Sequence, residues 1–277
     1  MSRTVRVACI QLNSGPEIAA NLAAIAPLLA QAQEQGAQLI ALPENATLIT
    51  AESATRLART CPAATHPAMP FFSAQAQQLG VWLLCGSLSI KRDDGRLDNR
   101  SVLFAPDGHV AASYNKIHLF DATVAQGEEY HESATVPPGD LAVLATTALG
   151  KIGLTICYDL RFAHLFRDLA KAGAEIIAVP AAFTVPTGQA HWHSLLRARA
   201  IETGCYIIAP AQGGTHDGGL KTYGHSLIVD PWGAIIAEVL NDVPQVITAD
   251  LDLDDCARVR RMLPSLQHDR DYAPPQP

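Results

Sequence analysis

The sequence predicts an α/β protein, a four-layer α-β-β-α sandwich built from two similar halves. Short apolar runs alternate with helical patterns along the 277 residues, which is typical of the α/β class. Four segments of the first half recur in the second half in the same order. Two similar halves packed together, with their sheets inside and their helices outside, give the four layers.

The first half begins with a strand, VRVACIQL at 5–12. Residues 17–36 then place apolar side chains at helical spacing, and we expect this helix to kink at Pro27 and end at Gly36. The second strand, 38–43, has an uninterrupted apolar centre, as in a strand buried on both faces. Further along we expect a helix near 67–79, a strand at 81–88 and a hairpin over 101–114 that turns at Pro106, Asp107 and Gly108.

The internal repeat pairs each predicted strand of the first half with one in the second half. The matched segments lie 124 to 146 residues apart, which is too long for a solenoid and indicates two halves that fold alike. Residues 5–11 match 151–157, 36–45 match 173–182, 81–87 match 205–211, and 101–110 match 226–235.

Composition and charge exclude several classes of protein. With 20 basic and 27 acidic residues the net charge is −7, which argues against a nucleic-acid partner. No apolar run is long enough to cross a membrane. The six cysteines lie far apart and no secretion signal precedes them, so we expect reduced thiols in the cytoplasm. We expect one domain, residues 1–268, followed by a Pro-rich tail, residues 269–277.

Two reactive side chains stand where predicted strands end. Glu44 directly follows LIALP, and Cys157 closes GLTIC. Ligands of open α/β sheets bind at the carboxyl ends of the strands. The repeat places Gln11 opposite Cys157 and Ala181 opposite Glu44, so each half supplies one reactive group where the other has an inert one. This asymmetry predicts a single site between the halves.

The chemistry of this pair favours a cysteine nucleophile. Cysteine attacks as the thiolate, and its usual pKa of about 8.5 means that a base must take the proton. Glu44 is the candidate base. Taken alone, Cys157 also fits a small buried core residue, and Glu44 fits an acid at a helix N-terminus.

Lys116 follows a predicted strand and has apolar neighbours in sequence. A partly buried lysine needs a carboxylate partner, and Glu128, Glu129 and Glu132 are available downstream. A fixed ammonium group can stabilise the oxyanion that forms during acyl transfer from an amide. A lysine in a surface loop is the alternative interpretation.

The histidines suggest other chemistry. His191 and His193 bracket Trp192, and a metal-dependent hydrolase using this pair is one alternative. The segment reads as a helix, however, where positions two apart do not face each other, so we expect no metal here. A cysteine–histidine hydrolase using Cys157 is a further alternative, with no preferred histidine. The Gly-rich stretch 212–226 lacks phosphate-loop spacing, and we expect a flexible loop near the pocket.

Several segments together carry a family resemblance. LPEN, YNKIHLFD, HES and LTICYDLRF resemble the nitrilase superfamily of carbon–nitrogen hydrolases, and the similarity extends over residues 4–272. The resemblance implies an α-β-β-α sandwich, a homodimer, and catalysis without a metal or an organic cofactor. It is greatest to the Nit-like amidases. One departure is His193, where we expect glutamate in several relatives.

The resemblance also implies the roles of individual residues. Glu44 would be the general base, Lys116 the oxyanion stabiliser and Cys157 the nucleophile. Glu132 would be a second glutamate that orients the site, and the backbone N–H of Tyr158 would share the oxyanion with the lysine.

The implied substrate is a small carboxylate-bearing amide that is hydrolysed through a cysteine thioester. We expect deaminated glutathione, which would yield 2-oxoglutarate and cysteinylglycine. The alternatives are 2-oxoglutaramate, another amide or carbamoyl compound, or a binding or scaffold role for the same fold.

Three further residues concern the substrate pocket. We expect Phe183 and Thr184 to line it, because they follow a second-half strand at the sheet end that holds the nucleophile. Arg161 could hold a substrate carboxylate, but pairing with Asp159 or Glu202 is the favoured expectation.

Overall fold

The computed structural model describes residues 3–124, 127–273 and 275, and its main elements are two stacked β-sheets between layers of helices. The first-half strands are β1 (Thr4–Gln11), β2 (Leu39–Ala41), β3 (Trp82–Leu84), β4 (Leu88–Lys91), β5 (Leu97–Phe104) and β6 (Val110–Asn115). The later strands are β7 (Asp121–Thr123), β8 (Glu129–His131), β9 (Val143–Thr147), β10 (Gly150–Leu154), β11 (Ile176–Ala178), β12 (Tyr206–Ala209), β13 (Gly213–Thr215), β14 (Lys221–Tyr223), β15 (Leu227–Val229), β16 (Ile235–Glu238) and β17 (Gln245–Asp252). The α-helices are α1 (Ile18–Glu34), α2 (Ser53–Arg59), α3 (Ala68–Leu79), α4 (Ala163–Lys171), α5 (Val185–Thr203) and α6 (Asp254–Met262).

The two sheets share an arrangement of six strands, to which the first sheet adds β4. The first has the order β17-β1-β2-β3-β5-β4, with β6 also paired to β5, and the second has the order β16-β15-β12-β11-β10-β9. In each sheet three parallel strands are followed by an antiparallel hairpin, β5–β6 or β15–β16. The outer strands β17 and β9 run antiparallel to β1 and β10. The predicted repeat is therefore confirmed in the order of its strands. The first match is shifted by one residue, because Val7 pairs with Leu39 as Ile152 pairs with Ile176, so Gln11 aligns with Ile156 and its predicted place opposite Cys157 is wrong.

Alternation along β1 shows how the layers form. Successive side chains of a strand point to opposite faces of its sheet. Val7 and Cys9 join the apolar core that lies between the two sheets. Ala8 and Ile10 join a second core with the buried faces of α1 and α3. Since α4 and α5 cover the other sheet, the predicted α-β-β-α order is confirmed.

The structure corrects several predicted element bounds. The expected strand at 81–88 is two strands, β3 and β4, because the chain turns at Gly86. This glycine has a φ of +72°, and a Cβ there would lie 1.9 Å from the Pro43 carbonyl oxygen, so no side chain fits. Helix α1 ends before Gly36 as predicted and continues through Pro27. The Gly-rich stretch contains the β13–β14 hairpin, so the expectation of a flexible loop is wrong.

The C-terminal segment contacts α4 through Asp269. The Asp269 carboxylate pairs with Arg167 and Lys171 of that helix. Among the described residues, no helix combines the length and the apolar character that crossing a bilayer requires.

Candidate active site

The structure brings four predicted residues together between the two sheets. Glu44 follows β2, Lys116 follows β6, Glu132 begins a short 3-10 helix after β8, and Cys157 lies just beyond β10. Glu44 and Lys116 are buried, and Cys157 keeps only 7% of its surface exposed. Charges held this far from water interact strongly, so their arrangement decides the chemistry.

Lys116 lies between two carboxylates. Its Nζ donates to Glu44 Oε1 at 2.9 Å and to Glu132 Oε2 at 2.8 Å. Burial alone would lower the lysine pKa, but attraction to Glu132 and Glu44 raises it well above its usual value. Burial likewise opposes ionisation of Glu132, while the Lys116 ammonium holds the pKa of this carboxyl below its usual value. The site therefore contains a fixed positive charge next to the thiol.

Asn99, which sequence reasoning missed, links the two carboxylates. Its Nδ2 donates to Glu44 Oε1 at 2.9 Å and to Glu132 Oε1 at 3.0 Å. The side chain is buried on β5, and a polar LDNR start to an otherwise apolar strand was the signal available. By donating to both acids, Asn99 bridges the same two carboxylates that Lys116 contacts.

Cys157 occupies a tight turn at the start of a short 3-10 helix, Cys157–Arg161. Its φ of +49° is unusual for a residue with a side chain, and its N–H donates to Pro180 O at 2.9 Å. Burial and the neighbouring Glu44 raise the pKa of the thiol well above its usual value, against the opposing effect of Lys116. The resting group is therefore a neutral thiol, which needs a base to become a nucleophile.

A backbone N–H group from the second half of the chain fixes the position of the Glu44 carboxylate. The Ala182 N–H donates to Glu44 Oε2 at 3.0 Å, while Oε1 faces Lys116 and Asn99. Each carboxylate oxygen thus has a defined partner, and the acid cannot rotate freely. Contacts with both halves fix Glu44 next to Cys157.

The buried carboxylate of Asp159, two residues after Cys157, connects two segments of the site by hydrogen bonds. Asp159 Oδ2 accepts from Tyr114 Oη at 2.7 Å and from the Ile156 N–H at 2.8 Å. Its Oδ1 accepts from the His118 N–H at 3.0 Å and lies 2.7 Å from His118 Nδ1. Asp159 therefore binds the segment around Lys116 to the turn that carries Cys157, and His118 faces this acid.

Aromatic side chains and the Arg161 guanidinium lie beside the turn that carries Cys157. The Tyr158 N–H has no acceptor within the described chain, as expected for an amide at the start of a short helix. The Phe183 ring packs on Trp192, with centroids 4.8 Å apart. The Arg161 guanidinium carbon lies 5.7 Å from the ring centroids of both Tyr158 and Phe183. The structure thus places two of the three predicted pocket residues around Arg161.

The favoured pairing of Arg161 is wrong. Asp159 turns inward to Tyr114 and His118, and Glu202 pairs with Arg199 at 2.7 Å. Within the described ranges, no carboxylate lies within 4.0 Å of the Arg161 guanidinium. Its charge is left without an acidic partner beside the turn that carries Cys157.

The remaining predicted residues have separate neighbours. Thr184 is buried just before α5, and its hydroxyl lies 2.8 Å from the Thr187 hydroxyl. His191 Nδ1 lies 3.3 Å from Arg161 Nη2, whereas His193 Nε2 lies 2.7 Å from Glu238 Oε1. The two histidines face different partners, so the alternative of a metal held by this pair is wrong.

Comparison with known proteins gives consistent results. The profile of the carbon–nitrogen hydrolase family matches residues 6–261. A protein named deaminated glutathione amidase from Synechocystis sp. is 41% identical over 94% of this chain and 96% of its own length. The human protein of that name is 39% identical over 95% of this chain and 82% of its own length.

A solved structure of Caenorhabditis elegans NitFhit superposes with a TM-score of 0.90 at 34% identity over 96% of this chain. The match spans only 65% of the NitFhit chain.

Proposed function

This chain belongs to the carbon–nitrogen hydrolase family and is an amidase, and we propose that it hydrolyses deaminated glutathione to 2-oxoglutarate and cysteinylglycine. The observation that carries the proposal is the buried Lys116 ammonium between Glu44 and Glu132, next to the Cys157 thiol. The names of relatives at about 40% identity support the choice of substrate.

The first chemical step is acylation of the thiol. Glu44 takes the proton from Cys157 as the sulfur attacks the amide carbon. Lys116 and the Tyr158 N–H hold the oxyanion of the tetrahedral intermediate. The protonated Glu44 then gives its proton to the leaving nitrogen as the carbon–nitrogen bond breaks. A thioester remains, and the amine product leaves.

The second step is hydrolysis of the thioester. Glu44, now ionised again, takes a proton from water as the water oxygen attacks the thioester carbon. The carbon–sulfur bond breaks, the thiolate regains its proton from Glu44, and the carboxylic acid leaves. Glu132 and Asn99 act as positioning residues: their hydrogen bonds hold the side chains of Lys116 and Glu44 in place through both steps.

Arg161 would recognise a carboxylate of the substrate. It lies beside Tyr158 and Phe183, carries a permanent charge and has no acidic partner within the described chain. A guanidinium group binds a carboxylate through two parallel hydrogen bonds. The proposed substrate has carboxylates at both ends, so this cation would favour it over neutral amides.

The test of the substrate is turnover of deaminated glutathione and of 2-oxoglutaramate by the purified protein, measured as release of 2-oxoglutarate. A higher kcat/KM for deaminated glutathione is the expected result. A preference for 2-oxoglutaramate would move the assignment to that amide and keep the mechanism. Absence of release from both would overturn both assignments.

The test of Arg161 compares the Arg161→Gln and Arg161→Lys variants. Each is assayed with deaminated glutathione as the free acid and as its methyl ester. If the cation binds a carboxylate, Arg161→Gln raises KM for the acid by about tenfold or more and leaves the ester unaffected. Arg161→Lys should restore part of the preference because it keeps the charge. Equal losses on acid and ester would show that the arginine only supports the packing of its aromatic neighbours.

We further propose that residues 1–268 act as one catalytic domain in a cytoplasmic homodimer that needs no cofactor and binds no nucleic acid. All six cysteines are free, which suits a reducing compartment. Trp232, Ile235 and Ile236 are exposed large apolar residues near one turn, and such a patch suits a contact between subunits. Sedimentation of the purified protein tests the dimer, and Ile236→Glu should weaken it.

A further inference from the structure

A second polar cluster lies outside the residues of the proposed mechanism. His193 of α5, His225 between β14 and β15, and Glu238 at the end of β16 meet there. His193 Nε2 lies 2.7 Å and His225 Nδ1 lies 3.1 Å from the same oxygen, Glu238 Oε1. All three side chains are partly buried, and their ligand atoms lie within 4.8 Å of one another.

We propose that His193, His225 and Glu238 form a binding site for a divalent transition-metal ion, with zinc as the first choice. Imidazole nitrogens and a carboxylate are ligands that zinc prefers. Zinc–ligand bonds of about 2.0–2.1 Å in tetrahedral geometry put neighbouring ligand atoms about 3.3 Å apart. The two histidine–carboxylate spacings, 2.7 and 3.1 Å, are close to this value, and all three ligand atoms lie within 4.8 Å of one another, so side-chain shifts of that order would admit the ion. Water would complete the four ligands.

The charge of the cluster suits a cation. Burial opposes ionisation of Glu238, but hydrogen bonds from His193 and His225 hold the pKa of this carboxyl below its usual value. The Tyr223 phenol faces the same acid and contributes no charge, since burial and Glu238 raise its pKa. Imidazole binds a metal in its neutral form, so one carboxylate and two imidazoles around a divalent ion would give the occupied site a net charge of +1.

The surrounding packing fixes two of the ligands before any ion arrives. The Tyr223 ring stacks on His225, with centroids 4.3 Å apart and planes 21° apart. Trp192 Nε1 donates to His225 O at 2.8 Å, which ties the residue before His193 to the other ligand. A Cβ at Gly188 would lie 2.3 Å from Tyr223 Cγ, so α5 and β14 are in close contact. Such support from neighbouring groups keeps metal ligands oriented.

The position of the site indicates what the ion would do. It would join α5, the β14–β15 connection and β16 at one point. The same helix begins directly after Phe183 and Thr184, and Trp192 packs on the Phe183 ring. The metal would therefore clamp the wall of the substrate pocket and take no part in amide hydrolysis, whose residues lie elsewhere.

The test is a zinc titration of the full chain in competition with a chromogenic chelator. A Cys157→Ala background removes the reactive thiol, which could bind zinc itself. We expect one equivalent of zinc to bind and to raise Tm. His193→Gln and Glu238→Gln, which keep side-chain size, should each weaken zinc affinity by at least about tenfold. Cobalt(II) bound to the parent should show the visible absorption of a tetrahedral ion, and cobalt(II) added to either cluster variant should not.

The matched control is His131→Gln. His131 is exposed and lies 3.3 Å from Glu129, so it offers a histidine–carboxylate pair without a third ligand. Its zinc affinity should equal that of the parent. The proposal is overturned if the parent binds less than one equivalent, or if both cluster variants bind zinc as tightly as the parent does.

Discussion

Gln11 ends β1 and Cys157 lies just beyond β10, the matching strand of the other half, and their surroundings differ in charge. The sheet registers make Leu12, and not Gln11, the exact counterpart of Cys157. Cys157 faces the Glu44 carboxylate and the Lys116 ammonium. Gln11 is fully buried among neutral groups: its Nε2 donates to Asn241 O at 2.7 Å, and its Oε1 accepts from the Ser226 N–H at 3.0 Å.

The groups that contact these two residues do occupy equivalent positions in the two halves. The 125-residue offset between the hairpins places Asn241 opposite Lys116. Lys116 places an ammonium group beside Cys157, whereas Asn241 places its backbone carbonyl beside Gln11. The comparison teaches that the two strand exits differ in backbone shape as well as in charge, since Gln11 is extended in β1 and Cys157 has a φ of +49° at the start of a 3-10 helix. The exit that carries ionisable side chains is the one suited to acid–base chemistry.

The largest expected effect comes from removing the nucleophile. Cys157→Ala should lower kcat by at least about four orders of magnitude, because no covalent intermediate can form. Steady-state release of 2-oxoglutarate measures it. Cys9→Ala is the control, since Cys9 is buried in β1 just before Gln11 and should keep near-parental turnover. Full turnover by Cys157→Ala would refute the assignment.

Removing the base should have the next largest effect. Glu44→Gln keeps the size of the side chain but cannot accept the thiol proton, so kcat should fall by about 10²–10⁴-fold. Glu175→Gln is the control, because that partly buried carboxylate pairs with Arg3 away from the site. A Glu44→Gln enzyme with parental kcat would move the base elsewhere.

Replacing Gln11 at the strand exit of the first half should change stability and leave turnover nearly unchanged. Gln11→Ala leaves the Ser226 N–H and the Asn241 carbonyl without a buried partner, which should lower the free energy of unfolding by about 1–3 kcal/mol. Urea unfolding measures this change. We expect kcat to stay within about threefold of the parent. A loss of kcat like that of Glu44→Gln would mean that both strand exits serve catalysis.

The smallest effect is the pH dependence of stability that Glu132 contributes. Its folded pKa lies below the usual 4.5, with burial opposing and Lys116 favouring ionisation. Such a group stabilises the fold above its unfolded pKa, and the contribution is lost as pH falls through the folded value. The Tm difference between the parent and Glu132→Gln should therefore shrink from about pH 6 to about pH 3. A constant difference would contradict the ion pair.

The residues at strand exits were predictable, while those defined by contacts across the fold were not. Glu44 and Cys157 could be found because short apolar runs mark where strands end. Lys116 was a candidate from its place after a strand, but the choice of Glu132 needed the family resemblance, since spacing left three acids as partners. Asn99 lies inside a strand, where only its neighbours in space reveal its function.

The error over Arg161 has a similar cause. Asp159 is two residues away in sequence, but it turns into the core and binds Tyr114 and His118. The pairing of His193 with Glu238 joins a helix to a sheet strand, which no local pattern records.

The pairing of β17 with β1 also bears on how the chain is made. Eight residue pairs join these strands, from Thr4 with Asp252 to Gln11 with Gln245. At about 5–20 residues per second, the ribosome completes β17 about 10–50 s after β1. Until then β1, whose last five residues are all buried in the folded chain, is an open edge strand. The nascent chain therefore spends most of its synthesis exposed to aggregation, and the first sheet closes only near the end of translation.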